Sequence, residues 1–133
     1  MRNKLNSKRA GFTLVEIMIV VAIIALLAAI AVPGFLRARK RSQASKVLND
    51  LRLIASAVDQ YAIENGKKSA DPVEVADWTN YLKKDTALYA TGLDVFNNAY
   101  GAQTVDSLPK VSQTTYDALS DVTDATFWSP FNP

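Results

Sequence analysis

Residues 12–36 are apolar almost without interruption, and Glu16 is the one ionisable side chain among them. From Ile17 to Leu36 only Pro33 and Gly34 depart from the pattern. About 20 helical residues at about 1.5 Å each cross the hydrocarbon core of a bilayer, so the run predicts a membrane span. The other reading, a buried core helix, needs more surrounding protein than 133 residues supply. Further along the period changes. Ala44, Val47, Leu48, Leu51, Ile54, Ala55, Val58, Tyr61 and Ala62 form the stripe of an amphipathic helix, with Lys46, Asp50, Asp59, Gln60 and Glu64 placed on the other side. No breaker falls within residues 35–65, so span and stripe are expected to be one helix of about 54 residues, closed by Gly66 as a left-handed cap.

The stripe needs a cover, and only residues 67–133 can supply it. Asp71, Pro72, Val73 and Glu74 read as an N-cap, a first-turn proline and an acidic third position. A short helix is expected from there to about residue 84, with Val75, Trp78 and Leu82 inward. Turn formers around Asn97 and Asn98 predict a strand at 99–105 paired with a neighbour around 88–96. Residues 112–119 read as a further helical turn, and the terminal FWSPFNP as an irregular aromatic tail. Phe127, Trp128 and Phe131 either pack onto the head or stay exposed as a contact patch. The fold class is α+β: a long N-terminal helix, half membrane-spanning and half amphipathic, packed against a small head with short helices and a small antiparallel sheet.

Charge bears on the span. Arg2, Lys4, Lys8 and Arg9 precede it without an acidic residue, and Arg37, Arg39, Lys40 and Arg41 follow it, so four basic residues on each flank leave its orientation undecided. The second cluster reads most plainly as a headgroup-level anchor. A basic leader before a long apolar run has two readings. In one the run is a secretory h-region, cut after Ala31, that releases a soluble domain. In the other the cut falls ahead of the run and leaves it attached. A carboxylate buried unpaired at mid-bilayer costs about 3 kcal/mol, so Glu16 either sits at the lipid interface or has a partner. Pro33 removes one helical hydrogen bond, a penalty of about 3 kcal/mol in an isolated helix, and Gly34 loosens the same place. A kink or local melting is expected there.

Gly11, Phe12, Thr13, Leu14, Glu16 and Pro33 stand in the register of a type IV prepilin. The N-terminal fifty or so residues resemble the type IV prepilin and pseudopilin family. The resemblance implies four segments: a leader at 1–11, a membrane and filament-core helix at 12–36, its amphipathic continuation at 37–65 and a head at 66–133. It implies that a prepilin peptidase cuts between Gly11 and Phe12 and methylates the new Phe12 amine. It implies that Glu16 neutralises the Phe12 amine of a neighbouring copy during assembly, and that the segment at Pro33 and Gly34 loses helicity in the filament. Kinking without function is the alternative for that segment. The implied partners are further copies of the chain in a helical filament, the peptidase, inner-membrane assembly machinery and membrane lipid. The implied course runs from a single-pass inner-membrane precursor, head outward, to a periplasmic or surface filament.

Composition narrows the chemistry. Without residues 1–11 the chain keeps eleven basic against thirteen acidic residues, a net −2. Beyond residue 53, five lysines face eleven carboxylates, so no nucleic-acid footprint is present. Cysteine and histidine are absent, which excludes disulfides, zinc sites with nitrogen or sulfur ligands, and His- or Cys-based nucleophile arrangements. No catalytic residues are assigned and no enzyme activity is expected.

Asp94, Phe96, Asn98 and Tyr100 partly resemble the Asp-x-aromatic-x-Asn-x-Tyr motif of the major pseudopilins of type II secretion, with Val95 and Asn97 where proline and glycine are common. The calcium loop of those proteins has no clear counterpart. Asp117, Asp121 and Asp124 are the one dense carboxylate grouping, read either as calcium ligands or as a solvated acidic face. No cofactor is expected. The small cysteine-free head and the partial motif lean the expectation to a secretion pseudopilin. A surface pilin, a secreted domain cut after Ala31 and an uncleaved single-pass binding protein are the alternatives.

Overall fold

The computed structural model describes residues 10–133. Arg2, Lys4, Lys8 and Arg9 of the expected leader lie outside them. The chain divides after Leu36 into two units. Helix α1 (Leu14–Asn65) contributes to both.

In the first unit, α1 is long and apolar enough to cross a membrane and buries none of that stretch within the chain. Its apolar side chains are exposed all round, from Leu14 at 78% through Leu27 at 60% to Leu36 at 49%. A helix with no polar face has no stable home in water. At Pro33 and Gly34, where a kink or local melting is expected, α1 keeps its helical assignment without a break. One missing N–H removes a single bond from a ladder held by complete turns on either side.

The second unit is organised on the amphipathic part of α1. Ile54, Ala57, Val58 and Ala62 pack with Val73, Trp78, Leu88 and Val105 in one cluster. Ala44, Val47 and Leu51 pack with Val111, Leu119, Trp128 and Phe131 in the other. The stripe is thus covered as expected, with Leu48, Ala55 and Tyr61 half-buried at its edges. Asp50, placed on the polar side from the sequence, is instead buried, 4% exposed. It lies three residues after Val47 and four before Ile54, on the stripe itself, and Lys46 and Tyr100 supply its polar partners. Helix α1 ends where predicted. Gly66 has φ +61°, and the Lys67 N–H donates to the Ala62 carbonyl at 2.9 Å, closing a left-handed cap.

The head departs from expectation in its details. Pro72–Val73 form strand β1, not a first helical turn, and pair antiparallel with β2 (Gln103–Thr104). The Ala70 and Val105 N–H groups extend the pairing through Val105 and Asp71 carbonyls. Helix α2 (Val75–Thr79) therefore starts later, at N-cap Glu74, whose capping box with Asp77 satisfies its first turn, and it stops well short of residue 84. Trp78 is fully buried, its indole N–H donating to the Gly101 carbonyl at 3.2 Å. Helix α3 (Ala87–Thr91) occupies part of the segment expected to be a strand, leaving one antiparallel bridge between Leu93 and Ala99. Gly92 ends α3 at φ +63°, where a Cβ would lie 2.9 Å from Val75 Cγ1. Helix α4 (Gln113–Ala118) forms as expected behind the Ser112 N-cap. The aromatic tail is not wholly irregular: α5 (Ala125–Trp128) makes one turn capped by Asp124. Trp128 and Phe131 are buried and Phe127 packs against them, so these rings belong to the core.

Candidate functional site

The N-terminal end of α1 gathers Gly11, Phe12 and Glu16. Gly11 is exposed, and a Cβ added to it would meet nothing within 4 Å. The fold of the described residues therefore does not require glycine there. Phe12 is 86% exposed. The Thr13 N–H donates to Glu16 Oε2 at 2.8 Å, and the Glu16 N–H donates to Thr13 Oγ1 at 3.2 Å. The Ile17 N–H to Thr13 carbonyl bond, 3.2 Å, opens the helix. This is a reciprocal capping box, with Thr13 as N-cap and Glu16 at the third helical position. The helix accordingly begins at Leu14, not at Phe12.

Glu16 is thereby placed with one carboxylate oxygen committed locally. Its Oε1 takes no hydrogen bond among the described residues. The carboxylate also meets the positive end of α1's dipole. Phe12, Glu16, Ile17, Ile19 and Val20 line one shallow apolar hollow. An oxygen open to a cationic donor, beside an apolar surface open to a helix, suits association of such ends. The box is legible in the Thr-Leu-Val-Glu spacing.

In the second unit the partial motif is built into one polar network. Asp94 Oδ1 accepts from the N–H groups of Phe96 at 2.8 Å and Asn98 at 2.9 Å, folding the 94–98 turn around itself. Its Oδ2 accepts from the Thr115 hydroxyl, which also accepts from the Asn98 amide at 2.8 Å. Asn97 has φ +63°, a conformation asparagine tolerates and glycine favours, so it fits where the motif commonly has glycine. The Tyr100 hydroxyl donates to Asp50 Oδ2 at 3.4 Å, and Lys46 Nζ reaches the same oxygen at 3.3 Å. Burial pushes the Asp50 carboxyl above the usual range, opposed by Lys46 and by the Tyr100 hydrogen bond. Burial also pushes the Tyr100 phenol up, and the Asp50 and Asp94 charges add to this. The motif residues thus tie α4 and α1 together.

Asp117, Asp121 and Asp124 are not gathered into a ligand set. Asp117 accepts from the Gln113 amide, Asp121 pairs with Lys40 at 2.8 Å, and Asp124 caps α5 through the Phe127 N–H. The Lys40 hydrogen bond holds the Asp121 carboxyl below the usual carboxylate range. Among the described residues no group of three or more carboxylates is placed to hold a metal ion.

Residues 6–32 match the family model of the prokaryotic N-terminal methylation motif. The chain is 38% identical over 98 residues to the type IV major fimbrial protein FimA of Dichelobacter nodosus, covering 74% of this chain and 58% of that one. It is 30% identical over 123 residues to the type IV wide pilus major component PilA4 of Thermus thermophilus, covering 92% and 81%. It is 35% identical over 60 residues to the type II secretion system core protein G of Klebsiella pneumoniae, covering 45% and 43%. Across the first three curated relatives it spans 30% to 58% of their own length. No solved structure gives a significant match.

Proposed function

The chain belongs to the type IV pilin family, and from that premise we propose that it is a structural subunit of a pilus-like filament. The single observation that carries this is the first unit: an apolar helix unburied within the chain, headed by an exposed Phe12 and a carboxylate with one oxygen open. In this reading the precursor sits in the membrane by α1 with its head outward, and a peptidase cuts after Gly11. The new Phe12 amine, methylated, meets Glu16 of a neighbouring copy. Buried together, the two charges compensate each other, whereas either alone would be costly, so their pairing sets the register of helix against helix. Membrane lipid holds the helix before assembly and other copies hold it afterwards. The role is mechanical and calls for no cofactor or catalysis.

Of the two kinds of filament, the engaged network of Asp94, Asn98 and Tyr100 favours a type II secretion-type pseudopilus. A specific observation favours the second reading, a surface pilus: the match to PilA4 extends over 123 residues and so includes the head. Deleting the gene in the native host separates them. Loss of secreted proteins from the medium with no change in surface fibres supports the pseudopilus, and loss of surface fibres supports the pilus. A strain that keeps both contradicts the filament reading.

A further inference from the structure

On the second unit, Lys46, Leu53 and Ala57 of α1 line one groove of about 340 Å³ with Lys83, Ala87 and Leu88. Its walls are largely apolar, and Leu53 is 46% exposed in it. Its charges are Lys46, Lys83 and the buried Asp50 that pairs with Lys46, so the exposed charge is positive. Elsewhere on the unit, Ile63 is 81% exposed, more than Leu53 or Leu108, the other large apolar side chains left in water there. Asp59 and Asp106 line the same hollow as Ile63, together with Lys67, whose ammonium lies 5.9 Å from the Tyr61 ring centre. Two carboxylates against one ammonium leave this surface negative.

We infer that the groove receives Ile63 of a second copy, with that copy's Asp59 and Asp106 set against Lys46 and Lys83. The inference rests on the filament reading and names a contact between its heads. An apolar knob flanked by carboxylates meets an apolar groove flanked by ammonium groups, so burial and charge favour the same orientation. Groove and knob are different surfaces. Each copy therefore gives Ile63 to one neighbour and receives it from another, and the contact propagates as an open series instead of closing into a two-fold dimer. A contact this small does not hold copies together alone. Packing of α1 raises the local concentration of heads, and the knob then fixes their rotation.

The absence of cysteine makes the contact testable by cross-linking in filaments assembled from the full chain. Ala87 and Ile63 are both exposed, so Ala87→Cys and Ile63→Cys leave the core intact. Filaments mixed from the two variants, one carrying a tag, are expected to oxidise to a mixed dimer, and filaments of either variant alone are expected not to. Lys83→Glu in the Ala87→Cys subunit should lower the mixed-dimer yield roughly tenfold, and Asp59→Lys in the Ile63→Cys subunit should restore it. A second pair, Ser56→Cys with Ser69→Cys, gives the same readout with Ile63 in place. Filaments that form without the mixed dimer, or that cross-link as well within one variant, overturn the docking and leave the filament reading standing. Failure of the unsubstituted chain to form filaments overturns both.

Discussion

Thr13 and Glu16 satisfy each other's backbone: each donates its N–H to the other's side chain, at 2.8 and 3.2 Å. The carboxylate at the head of the apolar helix therefore has a structural task before any neighbour arrives. Its two tasks separate by substitution, because glutamine caps as glutamate does but carries no charge. Glu16→Gln should keep α1 helical from Leu14 while assembly falls sharply. Thr13→Ala should do the reverse, fraying the first turn at a cost of about 1 kcal/mol with Glu16 still charged. Amide exchange at residues 14–17 in detergent micelles reads the first effect, and filament yield reads the second. Normal filaments from Glu16→Gln would show that the cap, not the charge, is what assembly uses.

Asp50 gives the second unit a pH dependence of definite sign. Burial raises its folded carboxyl pKa, so the folded state binds that proton more tightly than the unfolded chain does. Its contribution favours folding below the unfolded pKa and is lost as pH rises through the raised folded value. At neutral pH the buried charge is a net burden, offset in part by Lys46 and Tyr100. Asp50→Asn removes the charge and keeps an acceptor for Tyr100. Its Tm should exceed that of the parent at pH 7, and the gap should narrow as the solution is acidified towards pH 4. A gap that widens on acidification would show that Lys46 outweighs burial.

The core of the second unit sets larger effects. Leu51 is fully buried in the cluster that holds Trp128, so Leu51→Ala should destabilise that unit by about 2–5 kcal/mol. Gly92→Ala should cost about 1–3 kcal/mol, because its φ of +63° strains any side chain and the new methyl meets Val75. Urea denaturation followed by tryptophan fluorescence measures both, since Trp78 and Trp128 report one cluster each. Gly11→Ala should leave the same curve unmoved.

Much of this was legible because period and caps are local signals. The unbroken apolar run gave the first part of α1, the period of 3.6 gave its buried stripe, and Gly66 gave its end. Asp50 is polar by residue type, but its angular position between Val47 and Ile54 lies on the buried stripe. Its compensating partner Tyr100 lies fifty residues away, beyond any local pattern. Pro72 fits a first helical turn as well as a strand, and the choice was made by residues 103–104, which pair with it. Residues 125–128 make a turn of helix because Asp124 caps it, a signal obscured by the two prolines that follow. At the candidate site, Gly11, Phe12 and Glu16 stood in the sequence as a set. The capping box stood there too, and only its geometry showed that one Glu16 oxygen is already engaged.

The central claim concerns where the working chain begins, and the intact mass of the protein from its native membranes, with fragmentation of its N-terminus, tests it most directly. The account predicts a chain that starts at Phe12 and carries a methyl group on its amine. A chain that starts at Val32, or that still carries Met1, would contradict it.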